Sequence, residues 1–188
     1  MNNFVKILLN FLMSILAPKK KETSSISTTD ASENVSPPKS LIGPKIDWTD
    51  PSAKVSNHFT VKDCLWLPQW KRLATEEDGL ADYIKKNLIN LCKQMDHIVD
   101  LVGKPPKVHV TYRPEEYNIL VKGAPNSGHK YGQAMDYSFP GMTCDDVRKM
   151  ILINGMLEKL DLRMEDLPGS NWIHNDTCSV KYRRFFKP

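Results

Sequence analysis

The sequence predicts an α+β domain: a small antiparallel sheet with flanking helices, preceded by a flexible linker. Three observations predict it. One long stretch carries apolar residues at helical spacing, and short alternating stretches bounded by turn residues follow it. Ahead of both lies a Ser/Thr/Pro-rich segment without the apolar density to form a core. The chain has 188 residues, 40% of them hydrophobic. That suffices for one domain with a real core and not comfortably for two. The strands do not alternate strictly with helices, so α+β is expected rather than a parallel α/β sheet. There are no internal repeats.

Residues 1–21 open the chain with an apolar run broken by Lys6, Asn10 and Ser14 and followed by Lys19, Lys20 and Lys21. The run is too short and too interrupted for a comfortable transmembrane helix. Lys6, Asn10 and Ser14 fall four apart, on one helical face. An export signal, an interfacial anchor, a marginal span and a helix packed on the domain all remain open, with signal or anchor preferred. Residues 22–43, ending near Pro37 and Pro38, read as a flexible tether. The folded domain is expected over 44–188, beginning near Ile46, Asp47 and Trp48.

A turn and helix entry are expected over 56–63, with Thr60 and Asp63 as a capping pair. The clearest helix spans 80–101. Tyr83, Ile84, Leu88, Leu91, Met95, Ile98 and Val99 form its stripe. Gly103 stops it, and Pro105 and Pro106 lie beyond. Val108, Val110 and Tyr112 then alternate as a strand, with His109 and Thr111 on its other face. A second strand is expected over 134–139 and a second helix over 143–160, with Thr143 or Asp145 near its start. The alternation Leu160, Leu162, Met164 suggests a strand carrying Glu165. The last strand is expected over 172–180.

With 26 Lys+Arg against 22 Asp+Glu the net charge is +4. This favours anionic surfaces such as cell-wall polymers or phospholipid. No basic cluster interleaved with aromatics lies in the globular part, so no nucleic-acid partner is expected. Lys181, Tyr182, Arg183 and Arg184 read as a solvated tail. Cys64, Cys92, Cys144 and Cys178 form no CxxC pair, which argues against a cysteine zinc knuckle or a thioredoxin-like site. Most are expected to be free and buried. Cys178 lies four residues beyond His174, and a packing role suits it better than a metal-binding one.

His129, Asp136 and His174 are the candidate metal ligands. Two imidazoles and a carboxylate are the ligand set of a catalytic zinc, with one position left for water. The seven residues from His129 to Asp136 suit a loop followed by a strand. Gly128 and Gly132 bracket the histidine and permit close approach. Trp172, His174 and Asp176 share one face of their strand. Asp176 could therefore lie close to the metal as well, or serve to hydrogen-bond a ligand histidine and fix its tautomer.

The pattern Ser127-x-His129-x-x-Gly132-x-Ala134-x-Asp136, followed by Trp172-Ile173-His174, resembles the zinc D-Ala-D-Ala metallopeptidases. These are peptidoglycan-cleaving carboxypeptidases and endopeptidases and include many phage endolysins; the hedgehog signalling domain has a similar fold and metal set. Tyr112-Arg113-Pro114-x-x-Tyr117-Asn118 resembles the family's arginine segment. Gly123-Ala124-Pro125 leads into the serine-histidine motif. The resemblance covers about residues 55–188 and leaves out the first forty or so. It implies that His129, Asp136 and His174 bind Zn2+, and that Arg113 holds the substrate carboxylate or carbonyl oxygen. Arg113 could make two parallel hydrogen bonds to a carboxylate, which a lysine cannot. Ser127 either bonds substrate or shapes the turn, and Asn118 is structural.

One departure matters. Many relatives carry a glutamate three residues before the last histidine as general base, and Asn171 stands there in this chain. A neutral amide cannot take a proton. The resemblance therefore points to Glu165, in preference to Asp166, as the catalytic carboxylate. The expected function is a zinc-dependent peptidase acting on peptidoglycan stem peptides. The rival is a non-catalytic zinc-containing wall-binding module. A membrane-associated structural protein, its metal motif coincidental, is the third reading. The expected protein is a monomer, either exported or membrane-anchored and facing the cell wall, or phage-encoded in a host cell.

Overall fold

The computed structural model describes residues 45–180 and 183–187. The expected N-terminal segment and tether, residues 1–43, lie outside the described residues. The fold is α+β. Helix α1 (Val61–Leu65) enters through a complete capping box: Asp63 N–H donates to Thr60 Oγ1, and Asp63 Oδ2 accepts from Thr60 N–H. A two-residue hairpin follows, β1 (Trp66–Leu67) against β2 (Arg72–Leu73). Then comes the long helix α2 (Asp82–Val102), closed by Gly103 in the left-handed region at φ 71°.

Helix α2 buries Ile84, Leu88, Leu91, Cys92, Met95, Ile98 and Val99. Each large aliphatic among them contributes about 2 kcal/mol through removal from water. Tyr83, expected in that stripe, is instead exposed. It sits beside buried Ile84 at the flank of the stripe, on the side turned to solvent. Asp96 is a buried polar member of the same face. Its carboxylate accepts from Ser56 Oγ, Asn57 N and His58 N at 2.8–3.0 Å, pinning the loop before α1 to the helix.

The main sheet has five strands in the order β3-β4-β6-β5-β7. They are β3 (Lys107–Val110), β4 (Ala134–Ser138), β5 (Arg163–Glu165), β6 (Ile173–Asp176) and β7 (Phe185–Phe186). All pairings are antiparallel except that of β7, which runs parallel to β5. Between β3 and β4 lies the short helix α3 (Glu115–Leu120), and between β4 and β5 lie α4 (Cys144–Ile153) and α5 (Met156–Lys159). The helix expected over 143–160 is thus two. Gly155, at φ 61°, breaks it after Asn154. The strand expected over 172–180 ends at Asp176, whose Oδ1 accepts the N–H of Cys178 and turns the chain.

The tail reading for residues 181–184 also needs correction at Arg184. Its carbonyl accepts Met164 N–H, and its guanidinium meets Asp161 at 2.7 Å. These contacts hold β7 on the edge of β5. All four cysteines are free, and Cys64 Sγ and Cys92 Sγ touch at 3.4 Å inside the core.

The two faces of the sheet differ in kind. Met135, Tyr137, Ile173, Asn175 and Met164 alternate onto one face and are fully buried in a single apolar cluster shared with α2 and α4. The polar pair on that face is satisfied: Tyr137 Oη donates to Asn175 Oδ1, and Asn175 Nδ2 donates to Arg163 O. The opposite face presents Asp136, His174, Arg163 and Asp176.

Gly132 joins the site loop to the core. Its φ is 66°, and an added Cβ would lie 3.0 Å from Ile84 Cγ2, Ile84 O and Leu88 Cγ. Gly132→Ala combines backbone strain with a clash against α2. It is expected to cost about 2 kcal/mol or more. A thermal melt should show a fall of about 5 °C or more.

Candidate metal centre

His129 lies in a 3-10 turn, Gly128–Tyr131, whose N-cap is Ser127. Ser127 Oγ accepts the N–H of His129 at 3.4 Å, a contact that shapes the turn. The turn roofs the polar face of the sheet. A Cβ on Gly128 would fall 2.9 Å from Cys178 Sγ and 3.3 Å from Ala134 Cβ, so a side chain there would force the Cys178 thiol or the turn to shift. Cys178 is packing material here. Its Sγ is 3.8 Å from Gln133 Oε1, and burial pushes its thiol up to about 11.

The chain leaving β3 holds His129 from the other side. Arg113 N–H donates to His129 O at 3.0 Å, and His129 Nδ1 lies 2.7 Å from Thr111 O. A carbonyl can only accept, so Nδ1 carries the hydrogen. Burial pushes this imidazole below its ordinary range, outweighing Asp136 beside it. A neutral ring with hydrogen on Nδ1 leaves the Nε2 lone pair facing Asp136 Oδ1 at 3.2 Å.

Asp136 and His174 are directly opposed across β4 and β6. Opposed residues of an antiparallel pair share a face. His174 Nδ1 lies 2.8 Å from Asp136 Oδ1, and its Nε2 lies 3.3 Å from Asp176 Oδ2. Burial would lower the His174 pKa, but Asp136 and Asp176 together raise it to about 9. Despite its burial, Asp136 is held well below the carboxylate range, and the protonated His174 ring bonded to it is a cause of that shift. Asp176 falls to about 2, because His174 and Arg163 outweigh its burial.

One donor atom from each of His129, Asp136 and His174 lies within 4.8 Å of the others. Two ring nitrogens and a carboxylate oxygen converging in a largely buried place are a donor set that fits a divalent transition metal. The structure brings these three expected residues together. Arg113 reaches the same carboxylate, donating from Nη2 to Asp136 Oδ2 at 2.6 Å. Asn118 donates to Ala124 O and braces the loop ahead of the turn. The pairings Arg163↔Asp176 and Met164↔Asn175, carried one residue further, set Glu165 beside His174. Its charge helps to hold that ring protonated. Asp166 lies past the end of β5, its N–H given to Phe186 O at 2.6 Å. Asn171 is exposed in the turn before β6.

Two supports were not foreseen. Arg163 donates from Nε and Nη2 to both oxygens of Asp176, at 2.7 and 3.0 Å, and stacks over Phe186. The alternation Arg163-x-Glu165 against His174-x-Asp176 was the available signal, because antiparallel pairing matches such residues in reverse order. Buried Arg148 on α4 donates to Trp172 O at 2.7 Å and to Ser170 Oγ, fixing the entry to β6. Nothing in the local pattern of α4 marks that contact.

The family model described as Peptidase M15 matches residues 67–176. No curated protein and no solved structure matches the chain.

Two measurements follow from this geometry. Asp176→Asn keeps the shape but removes the charge behind His174, and divalent-metal affinity should fall about tenfold or more by competition titration. His174 must also lose its proton to bind a cation. In protein stripped by chelator, apparent affinity should rise about tenfold per pH unit from about 7 to 9 and then level, with proton release on cation binding below pH 9 followed by a pH indicator.

Proposed function

The chain belongs to the peptidase M15 family, and from that premise we propose that it is a zinc-dependent peptidase that hydrolyses a peptide bond in peptidoglycan. The observation that carries this reading is the convergence of His129, Asp136 and His174 on one point. His129 would bind through Nε2, His174 through Nδ1 and Asp136 through a carboxylate oxygen. Zinc held there would supply Lewis acidity, polarising the scissile carbonyl and making water a nucleophile near neutral pH.

The rest of the chemistry falls to side chains. Arg113 orients the substrate's carbonyl or carboxylate oxygen; its Nη2 is engaged by Asp136, and its other nitrogens are directed by that anchor. Glu165 accepts the proton of the attacking water and returns it to the leaving amine. Its place beside His174, at one edge of the polar face, supports that role over Asp166. Asp176 and Arg163 hold the His174 ring in orientation. In this reading the N-terminal segment keeps the domain at, or carries it across, the cytoplasmic membrane, where stem peptides are within reach. The protein acts as a monomer, as a bacterial wall enzyme or a phage lysis protein.

Purified protein should release new amino groups from peptidoglycan, lose this activity to a chelator and regain it with zinc. Glu165→Gln should lower turnover at least about a hundredfold while metal content and melting temperature stay as in the parent. Full activity in that variant would remove Glu165 from the mechanism. A parent that holds zinc yet frees no amino groups from several wall types would be the wall-binding module instead.

A further inference from the structure

Strand β3 is irregular where it passes the metal centre. Its register on β4 runs Lys107↔Ser138, Val108↔Tyr137 and then Val110↔Asp136, so His109 is an inserted residue. A bulge of this kind re-aims a side chain and is frequent beside active sites. Tyr137 marks the core face, and Ser138 and Asp136 mark the polar face. His109 Nε2 meets Ser138 Oγ at 3.0 Å, and the charge of Asp136 reaches its ring. By alternation from Lys107 and by its contact with Ser138, His109 lies on the same face as the metal-binding cluster, at the bulge. Lys107, directly opposed to Ser138, shares that face and is exposed. Among the described residues, Lys107 enters no ion pair.

The polar face is thus graded in charge. An ammonium without counter-ion and an imidazole–hydroxyl pair lie on its β3–β4 side, and Glu165 lies on its β5 side. We propose that Lys107 and Ser138 form a subsite for a carboxylate of the peptide substrate, with His109 as the positioning residue that orients the Ser138 hydroxyl. With the His109 Nε2 hydrogen donated to Ser138 Oγ, the hydroxyl hydrogen turns outward. A substrate carboxylate then accepts from that hydroxyl and from the Lys107 ammonium. Arg113, tied to Asp136, is left to the scissile carbonyl oxygen. The inference rests on the peptidase reading for its substrate class.

The test is calorimetric binding to the zinc-loaded full chain in the Glu165→Gln background, so that the probes persist. Three probes are compared: an N-acetylated tripeptide ending in D-Ala-D-Ala with a free terminal carboxylate, its C-terminal amide, and that amide with a D-glutamyl residue placed inside. A carboxylate probe should bind about tenfold more tightly than the neutral amide. Whichever carboxylate probe shows the preference identifies terminal or internal origin. Lys107→Ala and Ser138→Ala should each erase the preference at unchanged zinc content. His109→Ala should weaken it, and His109→Gln, which retains a donor, should restore part of it. Equal binding of all three probes, or a preference that survives Lys107→Ala, overturns the proposal. Lys107 is exposed, so its variant decides the matter even if His109→Ala fails to fold. A carboxylate preference in a protein that frees no amino groups from peptidoglycan would retire the peptidase reading and leave the subsite standing.

Discussion

The carboxylate of Asp136 is where the loop, the sheet and the charges of this protein meet. One oxygen faces both imidazoles, at 3.2 Å from His129 and 2.8 Å from His174, and the other is bonded by Arg113. An anion this buried is tolerated only when paired and hydrogen-bonded. Each partner arrives on a different piece of chain: a glycine-bracketed turn, the neighbouring strand and the segment leaving β3. The register of β4 on β6 is therefore a functional quantity. A slip of one residue would turn His174 into the apolar core and bring Ile173 or Asn175 to the polar face.

Around that centre the support is layered by distance. Thr111 O fixes the tautomer of His129, and Asp176 stands behind His174. Arg163 then holds Asp176 with two hydrogen bonds, and Arg148 ties the approach to β6 onto α4. Such second partners restrict the ring orientations on which any metal affinity depends. The membership in the peptidase M15 family agrees with this arrangement, because both ends of the donor set fall within residues 67–176.

Much of this was legible in the sequence for identifiable reasons. The stripe on α2 is long and ends at a glycine, so its length and stop were readable within two residues at either end. The capping box at Thr60 is a local device and was found locally. His129 and Asp136 were readable because spacing within a loop-strand unit is short-range, whereas His174, on another strand, was readable only through the Trp172-Ile173-His174 motif of the resemblance. What escaped depends on contacts between distant segments. Tyr83 falls close to the helical period but on the solvent-facing flank of the buried stripe, beside Ile84. Gly155 splits a helix that composition alone would continue. The extra residue in β3 cannot be inferred from alternation, since it is defined against β4. Arg148 and the pairing of β7 are likewise tertiary, between residues more than ten positions apart.

The edge strand β7 has a consequence for how the molecule tolerates damage. Strand β5 is three residues long, and its outer amide at Met164 and that of Asp166, just past its end, are bonded to Arg184 O and Phe186 O. Proteolytic clipping ahead of Arg184 would strip that cover and leave bare, frayed backbone under Glu165, while the turn and the two strands bearing His129, Asp136 and His174 stayed paired. A nicked molecule of this kind would keep the three donors in place yet lose the footing of Glu165, a lesion that the donor set alone would not reveal.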